Sequence, residues 1–252
     1  MRMLSLFAGI GGIDLAAQWA GIETVAFCEI EPFCQKVLQK HWPGVPIFDD
    51  VRKLRKQTLI DAGVIGDGRA IDIICAGYPC QPFSHAGKRK GKKDDRHLWP
   101  EVKRLLQETR PAWFVGENVA GHVTLGLDDV LSDLEGIGYS AEPFVIPACA
   151  VGAPHQRGRV FVLAHSNGQS KPQTDTTVSS IRSIWGTRDD FAGGAGVHLP
   201  GVYWQVHQPP IPGVDDGVPD RVDRSRALGN AVVPQHIYPI MWAIKQINDR
   251  AT

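Results

Sequence analysis

The sequence predicts an α/β protein whose sheet is largely parallel, with helices on both faces. Short apolar runs alternate with segments of helical period along most of the 252 residues. The first run breaks into a glycine loop that opens directly into a helix. A chain with 43% hydrophobic residues can bury one substantial core plus a small lobe. Strands are predicted near 3–7, 24–28, 71–76, 112–116, 141–147 and 159–164. Helices are predicted near 13–20, 33–41, 99–109, 127–136 and 235–249. Alternation of this kind implies parallel strands joined by helical crossovers.

Met3-Leu4-Ser5-Leu6-Phe7 has the composition of a buried strand. Ala8-Gly9-Ile10-Gly11-Gly12 follows, and then Ile13 to Ala20 carries apolar residues at helical spacing. Strand, glycine loop and helix make a nucleotide-binding start, since glycines allow a tight turn and close approach to a ligand. Asp14 stands where a dinucleotide fingerprint has its third glycine, and no Gly-Lys-Ser/Thr follows. A pyrophosphate is therefore less favoured than an uncharged or zwitterionic adenosine cofactor. The run Val25–Cys28 ends in Glu29, about 20 residues beyond the loop, where an acid would bond ribose hydroxyls. Glu31 competes for that role, and a solvated strand-end carboxylate is the plain alternative.

The third run, Ile71–Ala76, leads into Gly77-Tyr78-Pro79-Cys80-Gln81-Pro82. Each proline fixes φ and bars a helix, so Cys80 sits on a stiff loop at the carboxyl edge of the sheet. A thiol there is either a nucleophile or an ordinary buried cysteine. Ala112–Val115 runs into Gly116-Glu117-Asn118-Val119. A carboxylate at the end of a buried strand has a raised pKa, which suits a proton donor. Otherwise Asn118 would be a helix N-cap. Arg157 and Arg159, two apart at the entrance to the last strand, point the same way. They would hold a phosphate or a base edge, or lie on the surface.

In this order the segments resemble the DNA (cytosine-5)-methyltransferase family of bacterial and phage enzymes. The resemblance rests on Phe7–Gly12, Pro79-Cys80-Gln81, Glu117-Asn118-Val119, Gln156-Arg157-Gly158-Arg159 and Gly229-Asn230-Ala231-Val232-Val233-Pro234. It covers about residues 1–165 and again about 218–245. It implies a class I S-adenosylmethionine-dependent methyltransferase fold, Rossmann-like with one antiparallel strand, and a C-terminal helix returning beside the glycine loop. It also implies transfer of a methyl group to C5 of cytosine in DNA.

The resemblance assigns Cys80 as the nucleophile that adds to C6 and turns the ring into an enamine. Glu117 holds or protonates N3, Arg159 meets O2, and Arg157 gives support near Cys80 and the base or backbone. The target atoms are shielded in a duplex, so the base must flip out. S-adenosylmethionine would be lined by Phe7, Gly9, Ile10 and Gly12. Glu29 would take the ribose, Ile30 the adenine face, and Asp50 and Val51 the adenine edge. Pro79 and Leu98 would line the methionine side, and Asn230 and Ala231 would close the pocket. Ser5 stands where many relatives carry Asp, and His155 replaces a frequent Gln.

The domain expectation is a catalytic and cofactor-binding unit over 1–165, a target-recognition region over 166–212, and a segment over 213–252 that returns to the catalytic unit. The middle region is short, Thr/Ser-rich and then Gly-rich. Trp185, Phe191, Tyr203 and Trp204 could anchor a small lobe or stack on bases. Asp216–Arg224 reads as a remnant of the penultimate family motif.

Five cysteines without a C-x-x-C pair argue against a disulfide framework and a zinc site, and fit a reducing cytoplasm. No run spans a membrane, and the N-terminus lacks a cleavable signal. The expected partners are duplex DNA and a cognate restriction endonuclease, with the chain itself a monomer. The alternatives are an RNA cytosine methyltransferase, a non-catalytic DNA- or partner-binding relative, and a dinucleotide oxidoreductase. Net charge is zero, from 27 basic and 27 acidic residues. Local charge therefore has to bring DNA to the chain. Lys88, Arg89, Lys90, Lys92 and Lys93 follow Cys80 on the same loop, with Gly87 and Gly91 as hinges. The run either meets phosphates or is a solvated face. Neutralising all five should weaken DNA binding and reduce the slope of log K against log salt by about 0.9 for each phosphate no longer neutralised. An unchanged slope would leave the run as a solvated face.

Overall fold

The computed structural model describes residues 1–79, 98–124, 126–152, 157–168 and 221–251. Among these the strands are β1 (Arg2–Leu6), β2 (Glu23–Cys28), β3 (Ile47–Phe48), β4 (Ile73–Ala76), β5 (Trp113–Val119), β6 (Tyr139–Ile146) and β7 (Arg159–Ser166). The helices are α1 (Gly12–Trp19), α2 (Pro32–His41), α3 (Lys56–Asp61), α4 (Trp99–Thr109), α5 (Leu127–Gly136), α6 (Arg221–Asn230) and α7 (Pro234–Ala251). One sheet results, in the order β3-β2-β1-β4-β5-β7-β6. Strands β1 to β5 pair in parallel, while β7 runs antiparallel to both β5 and β6. This is the Rossmann-like, mostly parallel architecture with one reversed strand.

The period of two along each strand divides the core between the faces. Leu4, Leu6, Ile74, Phe114, Val160 and Val162 pack with Leu59 of α3, Val102, Leu105 and Leu106 of α4, and Val130 and Leu134 of α5. Met3, Ile73, Cys75, Trp113, Val115, Phe161 and Leu163 pack with Ile13, Ala16 and Ala17 of α1 and with Ile237, Ile240, Met241 and Ile244 of α7. Each fully buried Leu, Ile or Phe contributes about 1.5–3 kcal/mol. The C-terminal helix is thus part of the central core. Gly12 permits this return: an added Cβ would lie 2.2 Å from the Val232 carbonyl oxygen.

Three elements fall outside the expected set. β3 has two residues. α3 has six residues with Leu59 as its buried residue, too little for a helical period to show. α6 carries Arg221, Asp223, Arg224 and Arg226 among its ten residues, which obscures any apolar stripe. No helix among the described residues is long and apolar enough to cross a membrane. The region 169–220 lies outside the described residues.

A buried polar cluster joins α1 to the sheet. Asp14 of α1 is fully buried and accepts hydrogen bonds from Ser5 Oγ of β1 (3.1 Å) and Thr24 Oγ1 of β2 (3.0 Å). It fastens the first helix across two strands directly behind the glycine loop. Burial pushes its pKa up to about 6, against the opposing pull of the two hydroxyls. Because the folded-state pKa is raised, the linked stability is present below the unfolded value near 3.8 and is lost as pH rises through about 6. Asp14→Asn should therefore raise the melting temperature above pH 7, with a stability gain of at most about 3 kcal/mol. That gain should shrink between pH 8 and pH 5. Denaturation curves at both pH values check the sign. Equal effects at the two pH values would contradict the coupling.

Candidate active site

In open α/β sheets, ligands bind outside the carboxyl ends of strands where the strand order reverses. Here that point lies between β1, whose first crossover leads outward to β2, and β4 on its other side. A cleft of about 460 Å³ opens there. Its walls include Phe7 and Gly9 after β1, Glu29 and Glu31 after β2, Gly77, Tyr78 and Pro79 after β4, and Glu117 of β5. Arg159 of β7 and Asp223, Ala227, Gly229 and Asn230 of the C-terminal segment complete it.

The glycine loop is held by the acid after β2. Gly9 N–H donates to Glu29 Oε2 at 2.7 Å, and Glu31 N–H donates to Oε1 at 2.8 Å. Gln35 Nε2 fixes the Glu29 carbonyl at 2.6 Å. Glu29 is buried and bonded to the loop, while Glu31 precedes α2 without a side-chain capping bond. Phe7 takes a left-handed backbone with φ of 55°. Such a conformation costs about 1–3 kcal/mol for a non-glycine residue and clusters at functional sites. The Phe7 N–H donating to the Cys28 carbonyl at 2.8 Å helps hold it.

Opposite the loop, Glu117 is 8% exposed. Antiparallel pairing sets Glu117 against Phe161 and Val119 against Arg159, so Arg159 is the diagonal neighbour of Glu117 on the same face. Arg159 Nε lies 2.8 Å from Glu117 Oε1. Burial raises the Glu117 pKa, and the charges of Arg159 and Arg157 pull against that shift. Asn118 stays within β5. Its Nδ2 donates to the Tyr78 carbonyl at 3.1 Å, and its Oδ1 accepts from Val119 N–H at 2.9 Å. A 3₁₀ turn over Ala120–Thr124 follows, so Asn118 caps no α-helix.

Arg157 and Arg159 do not form a joint fork, contrary to the expectation from their spacing. β7 begins only at Arg159, and Arg157 lies in the preceding loop with φ of 27°. Its Nη2 donates to the carbonyls of Gly229 (2.8 Å) and Ala231 (2.9 Å). Arg157 thereby pins the C-terminal segment to the site.

Of the residues expected around a cofactor, Phe7, Gly9, Glu29, Pro79 and Asn230 line the cleft. Ile10, Gly12, Ile30, Asp50, Val51, Leu98 and Ala231 are not among its walls. Gly12 is packed on Val232, and Ile30 is 60% exposed. Asp50 is clasped by the Arg52 backbone and guanidinium at 2.9–3.1 Å, which holds its carboxyl below the usual range. Val51 is buried in the core, and Leu98 packs against that core at the start of α4. Tyr78, Phe33, Cys34 and Ala227 also line the cleft, without a sequence signal that separates them from ordinary apolar positions. Cys80, the basic run 88–93, His155 and Gln156 lie outside the described residues. Pro79, the residue before Cys80, stands in the cleft wall.

Residues 1–191 match the family of C-5 cytosine-specific DNA methylases. The chain is 34% identical over 176 residues to the Type II methyltransferase M2.BsuMI of Bacillus subtilis, covering 65% of this chain and 42% of that protein. It is 31% identical over 183 residues to M.AquIA of Picosynechococcus sp., covering 67% and 73%. It is also 31% identical over 172 residues to M.HhaI of Haemophilus parahaemolyticus, covering 66% and 50%. The chain thus spans about half the length of the curated relatives it matches, M.AquIA apart. Among solved structures, a putative DNA modification methyltransferase encoded within a prophage in E. coli matches with a TM-score of 0.54 and 26% identity, over 66% of this chain and 47% of that one. A DNMT2 mutant of Spodoptera frugiperda shares the fold, with a TM-score of 0.55 and 24% identity over 68% and 51% of the two chains. With the matched residues spanning the glycine loop, β5 and β7, this chain belongs to the C-5 cytosine-specific DNA methylase family.

Proposed function

We propose that this cleft moves a methyl group from S-adenosylmethionine to C5 of cytosine in duplex DNA. The observation that carries the reading is the buried Glu117 carboxyl paired with Arg159, in one cleft with Pro79 and the Glu29-anchored glycine loop. The charges of the walls fit the cofactor. Apart from the Glu117 carboxyl, Glu29, Glu31 and Asp223 stand against the single cation Arg159 among the described lining residues. Such a surface suits a sulfonium with an ammonium group and disfavours a pyrophosphate. Phe7, Gly9, Glu29, Pro79 and Asn230 would hold it, with Ile10, Gly12, Ile30, Asp50, Val51, Leu98 and Ala231 further out. When bound, S-adenosylmethionine supplies its methyl group as the electrophile.

The chain's own residues supply the rest. Cys80, one residue beyond Pro79, attacks C6 of the flipped cytosine as a thiolate, forming a C–S bond. The ring electrons move toward N3, where the Glu117 carboxyl gives or shares its proton. Arg159 orients that carboxyl and meets the ring O2. Arg157 keeps the C-terminal segment against the site. After methylation a base takes the C5 proton, the C5–C6 double bond re-forms and the Cys80 thiolate leaves. We further propose that recognition lies in 166–212 between units 1–165 and 213–252. The chain would act as a cytoplasmic monomer opposed to a restriction endonuclease of the same site. Buried free thiols at Cys28, Cys34 and Cys75 fit a reducing compartment, and the Type II names of the relatives fit the pairing.

Cys80→Ala should abolish methyl transfer while S-adenosylmethionine still binds in calorimetry. Turnover in that variant would sink the C6-addition mechanism. Glu117→Gln should lower the rate by about 10²-fold or more, the range for general acid catalysis. In the wild type, the rate should fall as pH rises through the elevated Glu117 pKa, because the carboxyl proton is then lost. That falling limb should be absent in Glu117→Gln, and its persistence would assign the proton elsewhere.

A further inference from the structure

Beyond Gly77, whose N–H still donates to the Leu6 carbonyl of β1 at 3.3 Å, the approach to Cys80 is held by side chains. β4 pairs with β5 only as far as Ala76 opposite Gly116. Beyond that point β5 continues against β7 through Glu117, Asn118 and Val119. Tyr78 and Pro79 therefore lie beyond the ladder, just before the nucleophile. Tyr78 is the residue that ties them back. It is 4% exposed, and its ring sits against Trp99 (centroids 5.2 Å apart) and edge-on to His122 (5.5 Å). Its carbonyl receives the Asn118 bond described above. Its hydroxyl lies 3.0 Å from His122 Nε2, a hydrogen bond whose donor is set by the imidazole tautomer. His122 stands in the 3₁₀ turn that directly follows Glu117-Asn118-Val119. Gly116 makes room for the ring, since an added Cβ would lie 3.1 Å from Tyr78 Cε1.

A phenylalanine would fill the same volume. The hydroxyl adds a directional bond inside the protein, where leaving it unmade is costly because no solvent replaces it. Both partners are buried, so water does not compete freely for the bond. We infer that Tyr78 and His122 form a positioning pair, which sets the chain entering Cys80 in register with the Glu117 carboxyl. The inference rests on the methyl-transfer reading above. Neither residue needs to touch the base: the pair fixes the backbone just before the thiol and, on the other strand, the turn leaving the acid. A misplacement of about 1 Å at a reacting atom costs as much as 10²-fold in rate. A lost restraint next to the nucleophile should therefore appear in the chemical step and not in cofactor affinity.

The test uses the full chain with S-adenosylmethionine and a duplex in which 5-fluorocytosine replaces cytosine throughout. Fluorine cannot leave as a proton does, so the covalent adduct accumulates and its rate of formation can be followed. Tyr78→Phe should slow adduct formation on the order of 10-fold and lower kcat by the same factor, short of the roughly 10²-fold limit. KM and the calorimetric affinity for S-adenosylmethionine should stay within about twofold. His122→Gln keeps a group able to bond the hydroxyl and should recover most of the rate. The double variant Tyr78→Phe/His122→Leu should regain melting temperature yet remain slow, because an apolar pair packs but does not orient. A wild-type adduct rate in Tyr78→Phe, or rates that simply track melting temperature across the variants, would overturn the positioning role. No adduct with the wild type would overturn the methyl-transfer reading itself, and this inference with it.

Discussion

The desolvation of the Glu117 carboxyl is the constraint around which the rest of the site is arranged. An ion removed from water costs several kcal/mol unless a partner and hydrogen bonds replace the solvent. Here the partner is Arg159, and only a reversed strand can bring it. A strand entering the sheet at the carboxyl edge of β5 presents its first residues there. A parallel strand would present its last. The antiparallel β7 therefore serves the chemistry as well as the fold, and β6 covers its far side. The balance leaves Glu117 with a raised pKa, so its proton is retained to higher pH than that of an exposed carboxyl.

The same reversal reaches the ends of the chain. The loop that delivers β7 also carries Arg157, whose guanidinium binds the carbonyls of Gly229 and Ala231. That bond sets the C-terminal segment where Val232 can meet Gly12, and where α7 can bury its apolar face against α1. The cleft is thereby closed by residues more than 200 positions away from the glycine loop in sequence. Non-glycine residues in left-handed backbone occur at Phe7, Arg110 and Arg157 among the described residues; Arg110 ends α4, while Phe7 and Arg157 stand beside this cleft. Strain at these two positions is offset by the bonds that hold them, which is the signature of a pre-organised site.

Much of this was legible in the residues. Six strands and five helices announce themselves because their apolar residues recur with periods of two or 3.6. Phe7–Gly12, Glu29, Glu117 and Arg159 stand out because each is a polar or glycine break at a strand end. What the pattern hides is what depends on tertiary partners. α3 and α6 bury too little to show a period. Asp14 reads only as a break in the glycine fingerprint until Ser5 and Thr24 are seen to face it. Asn118 has the chemistry of a cap, yet it serves as a clamp on Tyr78. The two arginines share a spacing but not a strand, and Arg157 bonds the C-terminal carbonyls while Arg159 pairs with Glu117. Tyr78 reads as one residue of the loop before Cys80, and only the fold shows its hydroxyl meeting His122.

If this cleft methylates carbon 5 of cytosine, the modified base itself bears witness to it. The purified chain should be incubated with S-adenosylmethionine and unmethylated plasmid DNA. The DNA should then be digested to nucleosides and analysed by mass spectrometry, with bisulfite sequencing of the same sample. The expected result is 5-methylcytosine as the only new nucleoside, confined to a short sequence context. Duplex DNA that acquires no methylated base, or that carries the methyl group on an exocyclic nitrogen, would contradict the claim.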